Sequence, residues 1–150
     1  MKKYLWLAAI VMAFILTRFW LLDQRIIFDW DQEQFSNQIY DIVKLNKFTL
    51  LGPRVTDELG FFLAPYFTYI LVPFYLLTNL DPSALIIFMI VINSLFFIAS
   101  YKIISRLYSV PHALVFLALW TFSSYHVKYD SIPWWPIYLP LGVMLVWHVL

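Results

Sequence analysis

Asp29, Asp31 and Glu33 lie within the eight-residue stretch Phe28-Asp29-Trp30-Asp31-Gln32-Glu33-Gln34-Phe35. Carboxylates spaced this closely are suited to taking a proton from a hydroxyl or to orienting a nucleophile. The stretch directly follows an apolar run, which puts charge at a bilayer edge, and ionisable groups in that position mark a site by default. The plainer alternative is a solvated loop whose acids cap a helix. Much further along, Asp130 stands with His126 and Lys128 at the edge of another apolar segment.

The rest of the chain must position these groups, and its composition says in what medium. Of 150 residues 63% are hydrophobic and 13% charged, and the mean hydropathy is +0.77. Soluble domains carry about 25% charged residues, so the expected class is an integral membrane protein. A net charge of +1 argues against a nucleic-acid partner. Without cysteine there are no disulfides, thiolate nucleophiles or Cys-based metal sites. Fourteen Phe, ten Tyr and seven Trp suit a chain with many membrane-interface surfaces.

Lys2 and Lys3 precede a run over residues 4–22 whose only charge is Arg18. A crossing needs about 20 apolar residues, and the two lysines place the N-terminus in the cytoplasm. The run ends in Phe19-Trp20-Leu21-Leu22 and lacks a small-x-small cleavage site, so it is read as an uncleaved first span. Arg18, near its outer end, is expected to snorkel to the headgroups. Residues 23–80 then form an extracytoplasmic loop. Within it, Asp31 and Gln34 have capping-box spacing ahead of Phe35, Ile39, Ile42 and Val43. That pattern predicts an amphipathic helix over 32–45 lying along the membrane face, with Asp31 at its start and Glu33 in its first turn. Residues 46–54 read as loop.

Thr56, Asp57 and Glu58 are expected to cap an aromatic-rich helix over 59–77 that contains Pro65 and Pro73. Further spans are predicted over 84–101, 110–126 and 136–150. No repeat and no linker divides the chain. If 59–77 crosses fully, Lys102 and Arg106 are external; if it stays on one side, they are cytoplasmic and Asp130 shares a face with Asp29 and Asp31. The positive-inside bias favours the second topology.

The ordered set of short motifs resembles a known family. It runs from the first span and acidic loop through Gly52-Pro53, Gly60-x-x-x-x-Pro65-Tyr66 and Asp81-Pro82. It continues with a Tyr101-x-Ile-Ile-x-Arg106-Leu107-Tyr108 turn and Trp134-Trp135-Pro136 leading to Leu139-Pro140. This resembles the N-terminal third of bacterial membrane glycosyltransferases of the GT-C fold, akin to protein O-mannosyltransferases and lipid A aminoarabinose transferases. The resemblance implies an all-α, polytopic integral membrane protein with a GT-C-like transmembrane helix bundle, of which residues 1–150 are a part. Family members have around a dozen spans, so the chain is expected to be an incomplete and, alone, inactive piece of a larger enzyme.

The activity implied is transfer of a sugar from a polyprenyl-phosphate donor to a protein, lipid or glycan acceptor. It takes place on the outer face of the plasma (inner) membrane, in the cell envelope. Asp31 best matches the family's acidic loop residue, which serves as catalytic base or acceptor-orienting group. Asp29 is second, Glu33 its neighbour, and Asp130 a candidate second acid. Arg54 and Lys128, with His126 nearby, are the candidates for donor phosphate. The chain departs from close relatives near Ser131, where an Arg is usual, and at Trp135, where Asn is. A metal-dependent branch of the fold gathers external carboxylates, which Asp29, Asp31 and Asp130 would mimic, but O-mannosyltransferase-like members work without one; no metal and no cofactor are expected. His112, His148 and the aromatics of 66–75 are read as packing. The competing reading is a non-catalytic membrane protein, either a transporter segment or a small scaffold. A transporter would hold its ionisable residues at the bilayer midplane, whereas here they cluster at the interface.

Overall fold

The computed structural model of the chain describes residues 2–55 and 60–149. The named elements are all helical: α1 (Lys2–Phe19), α2 (Leu22–Arg25), α3 (Trp30–Leu45), α4 (Tyr66–Leu77), α5 (Ala84–Leu107), α6 (Val110–Phe122), α7 (Ser124–Tyr129) and α8 (Leu139–Val149), with a 3-10 turn at Trp135–Tyr138 before α8. Among the described residues there is no strand, only an isolated antiparallel bridge between Arg54 and Phe62. The all-α expectation holds. Among the described residues one helix, α5, is both long and apolar enough to cross a membrane, with a mean hydropathy of 2.3; the other apolar helices are shorter.

The chain divides into two compact units. The first comprises residues 1–26, 89–132 and 136–150; the second comprises 27–88 and 133–135. This departs from the undivided reading of the sequence, and the second unit nearly coincides with the loop expected over 23–80. Of the four breaks between the units, one falls just before α3 and one inside the continuous helix α5, where no Pro- or Gly-rich linker stands, and the other two fall at Pro133 and Pro136.

In the first unit, Phe14 of α1 packs against Phe97 of α5 and Trp120 of α6, with ring centroids 4.5 and 5.8 Å apart. Ile10, Phe96, Ile103, Leu117 and Met144 complete that core. α5 runs through Lys102 and Arg106 to Leu107, so the turn expected at 101–108 is helix instead. Nothing between 84 and 107 is Gly or Pro, and the chain reverses only at Tyr108-Ser109, ahead of Pro111 in the first turn of α6. There Ser109 Oγ and His112 Nδ1 lie 2.6 Å apart, a local structural role for His112.

In the second unit the amphipathic period of α3 buries Phe35, Ile39 and Ile42 against α4. Phe35 meets Phe67 edge-on at 4.8 Å, and Phe67 meets Phe88 at 5.7 Å. Two polar bonds set the register: Ser36 Oγ to Tyr75 Oη at 2.6 Å, and Thr68 Oγ1 donating to Gln38 Oε1 at 3.0 Å.

α4 begins at Tyr66, not at residue 59, and is 12 residues long. Residues 60–63 are held instead against the preceding loop, through Gly52 N to Leu63 O, Leu63 N to Pro53 O and Val55 N to Phe61 O, at 2.8–2.9 Å. Those bonds take backbone groups a helix would need, and Pro65, which has no N–H, then precedes the first turn. Gly52 permits the close approach, since a Cβ there would lie 2.7 Å from the carbonyl oxygens of Leu63 and Ala64. The expected caps Thr56, Asp57 and Glu58 lie outside the described residues.

Candidate functional site

The acidic stretch folds into the N-terminal turn of α3, two residues earlier than its spacing suggested. Asp29, not Asp31, is the N-cap: its carboxylate accepts from Trp30 N at 2.8 Å, and its own N–H donates to Gln32 Oε1 at 2.9 Å, closing a capping box. The sequence contains the Asp-x-x-Gln pattern twice, at 29–32 and at 31–34. The first register wins because each glutamine is committed elsewhere. Gln32 Nε2 donates to Pro133 O at 3.1 Å, which buries Gln32 and fixes its carbonyl toward Asp29. Gln34 Oε1 accepts from Arg54 N at 3.1 Å and is not free to cap.

Asp31 is therefore a first-turn residue with its carboxylate left over. It is half-buried, and partial burial, together with the negative charge of Asp29, pushes its carboxyl above the ordinary carboxylate range. Glu33 is exposed. The free N–H groups of the turn favour negative charge nearby, so the three acids are tolerated together.

Arg54 belongs to the same unit, and its backbone is tied to α3 by Gln34. Among the described residues, neither Arg54 Nε nor Gln34 Nε2 has a hydrogen-bond partner, although both atoms are buried. A buried donor left unpaired costs about 1–3 kcal/mol.

Asp130 and Lys128 fall in the other unit. Asp130 is 8% exposed, and its Oδ2 accepts from Arg18 Nε at 3.0 Å. Burial pushes this carboxyl up, and the Arg18 guanidinium and the neighbouring His126 pull it back. Arg18 is itself only 3% exposed: instead of snorkelling, it donates through Nη1 to Thr121 O at 2.6 Å and through Nη2 to Trp120 O at 2.7 Å. The break between α6 and α7 leaves those carbonyls without helical partners, and a cation at a helix C-terminus is favoured by the dipole. Asn93 Nδ2 donates to Asp130 O at 3.0 Å. Lys128 is exposed, with Nζ 5.7 Å from the Tyr129 ring centre. His126 lines an apolar cavity of about 710 Å³ together with Phe96, Leu119, Trp120, Leu139 and Val143.

The structure thus places Asp29, Asp31, Glu33 and Arg54 in one unit, and gives Asp130 a buried cationic partner in the other. Sequence reasoning missed Arg18, Asn93 and Gln34. A signal for the first two existed: one arginine and one asparagine inside apolar runs, with a lone aspartate at the edge of another, are groups that apolar surroundings force to pair. Gln34 carried no such signal, because its partner is a backbone N–H. Among the described residues no group of three His, Asp or Glu side chains is arranged to hold a metal ion. Comparison with protein-family models, with curated proteins and with solved structures finds no match to this chain.

Proposed function

We propose that the chain is part of a polytopic membrane glycosyltransferase of GT-C type. In this reading it moves a sugar from a polyprenyl-phosphate donor to a hydroxyl-bearing acceptor at the outer face of the membrane. The observation that carries the reading is Asp31: a carboxylate in the first turn of α3, not used for capping, whose carboxyl titrates above the ordinary range. A base is most effective when its pKa lies near the working pH, and burial beside a second carboxylate moves Asp31 in that direction.

Asp31 takes the proton from the acceptor hydroxyl as that oxygen attacks the anomeric carbon. The bond from the anomeric carbon to the phosphate oxygen breaks, and the lipid phosphate leaves with the electron pair. A phosphate leaving group needs stabilisation of its charge more than a proton, and Arg54 in the same unit is the cation assigned to that role. Asp29 holds the turn in place and sets the electrostatic field on Asp31. Lys128 is exposed and available to lipid phosphate, while Asp130 neutralises Arg18 and is a structural acid in this scheme.

The one-sided topology is part of this reading. Helix length does not separate α4, with 12 residues, from α6, with 13, so the reading that α4 enters from the outer face and leaves by the same face rests on the positive-inside bias of Lys102 and Arg106. The N-terminus, Lys102 and Arg106 are then cytoplasmic. The test compares sugar transfer from a polyprenyl-phosphate donor by membranes carrying the full-length parent enzyme, either wild type or Asp31→Asn. Transfer that depends on the protein but is indifferent to this change would sink the assignment of Asp31. Absence of any protein-dependent transfer favours the non-catalytic reading.

A further inference from the structure

We propose that the groove between α1 and α5 binds an anionic phospholipid, with an acyl chain between the helices and the headgroup at Lys102 and Arg106. The groove is a cavity of about 460 Å³ that lies within one unit. Leu7, Val11, Ile15 and Phe19 line it from α1, and Ile98 and Lys102 from α5. Steps of four residues keep each row on one helix face, and the next position on the α5 row is Arg106. Two points of register make the helices antiparallel. Phe14 meets Phe97, and Arg18 and Asn93 converge on Asp130. Lys2 and Lys3, which open α1, therefore stand at the Lys102–Arg106 end of the groove.

That end is cationic, and nothing in the unit neutralises it. Lys102 and Arg106 are exposed, and the ion pairs among the described residues are Arg18–Asp130 and Lys47–Asp41. The acids of the unit are Asp23, beyond the far end of α1, and Asp130, held by Arg18 near that same end. From Leu7 to Phe19 the groove runs about 18 Å at 1.5 Å per residue, comparable with one leaflet of the roughly 30 Å hydrocarbon core. A lysine at its mouth lays an alkyl stem on the apolar wall and keeps its ammonium at the headgroups. An apolar channel of leaflet depth that ends in unpaired cations matches a molecule with an apolar tail and an anionic head. A neutral lipid leaves the cations unpaired, and a free anion leaves the channel unfilled. The other cavities lack this combination. The one between α1 and α6, at Trp6, Ile10 and Leu114, has no charged lining residue, and His112 in the one beside α8 is already held by Ser109. In the proposed topology the cationic end faces the cytoplasmic leaflet, which carries a negative surface potential and where basic pockets between spans take lipid headgroups. The site rests on the membrane reading and on no step of sugar transfer.

The experiment uses the full-length parent protein in detergent micelles, titrated with phosphatidylglycerol or with phosphatidylcholine of the same acyl chains. Native mass spectrometry counts retained lipid, and unfolding temperature reports its effect. Phosphatidylglycerol is expected to bind saturably and to raise the unfolding temperature, and phosphatidylcholine to bind roughly tenfold more weakly or worse. Glycerol phosphate, a headgroup without tails, is expected to give no protection. The double change Lys102→Gln with Arg106→Gln is expected to lower phosphatidylglycerol affinity roughly tenfold or more. Lys44→Gln removes an exposed cation from the other unit and is expected to leave that affinity unchanged. Ile98→Trp fills the groove and keeps every charge. Ile98 is 50% exposed, so this variant is expected to fold by circular dichroism and to lose the retained lipid. Equal binding of the two lipids, undiminished binding by Ile98→Trp, or protection by glycerol phosphate overturns the site. Failure of the wild type to retain phosphatidylglycerol, as when another helix of the parent fills the groove, overturns it too. Lipid retention that survives Asp31→Asn separates this inference from the catalytic one.

Discussion

At the scale of single residues, the two aspartates of the acidic turn divide the work that the sequence could not apportion. Asp29 is bound to Trp30 N and to the α3 cap, whereas Asp31 has a carboxylate to spare and a pKa raised by burial and by Asp29. Asn is as good an N-cap as Asp, so Asp29→Asn removes a charge and leaves the helix start intact. With that charge gone the Asp31 carboxyl titrates lower, though burial still holds it up. In the proposed scheme the base must be ionised, so activity is expected to fall as pH drops through the Asp31 pKa. The acidic limb of the pH–rate profile is therefore expected to move to lower pH in Asp29→Asn, with the plateau rate nearly unchanged. An unmoved limb would show that Asp31 does not set it. The capping box itself was legible as an Asp-x-x-Gln pattern, but its register was not. Two overlapping copies compete, and the choice is made by Pro133 O and Arg54 N, two backbone groups distant in sequence.

At the scale of elements, the buried pair of Arg18 and Asp130 joins α1 to the α6–α7 break, and Asn93 brings α5 to the same point. The side chains are 1% and 10% exposed, so removing one partner strands a charge without water. Asp130→Leu alone is expected to cost about 3–5 kcal/mol, and the double change Arg18→Met with Asp130→Leu to recover a large part of that. Denaturant titration of the purified protein measures both. Equal losses in the single and double variants would mean that Arg18 acts mainly through the Trp120 and Thr121 carbonyls. α3 was legible because its apolar positions repeat with helical period and all face α4. The late start of α4 was not, since Pro65 is compatible both with a kinked longer helix and with a helix start. What decides is the set of bonds between residues 52–55 and 61–63, which depends on Gly52 having no Cβ. Likewise, basic residues at 102 and 106 resemble the end of a span in composition, yet nothing there breaks the helix.

At the scale of the whole molecule, the helical class holds, and the mean hydropathy of +0.77 supports the proposed membrane reading. Lipid leaves backbone groups no partners outside the chain, and helices satisfy them internally. The proposed topology makes its own prediction. Lys102 and Lys128 are exposed residues on either side of α6, so single cysteines at these positions, introduced into this cysteine-free chain, should react with an impermeant reagent from opposite faces. Labelling of Lys128→Cys from outside and of Lys102→Cys only after permeabilisation is expected. The reverse pattern would put Asp130 on the cytoplasmic face and make α4 a full crossing.

The most direct test of the account is the turnover of Asp31→Asn in the full-length parent enzyme, in membranes supplied with polyprenyl-phosphate-linked sugar. A positioned general base contributes about 10²–10⁴-fold, and the substitution keeps the size of the side chain while removing its ability to accept a proton. The account predicts a fall in rate of at least about 100-fold, with unfolding behaviour retained. A rate within a few-fold of wild type would contradict it.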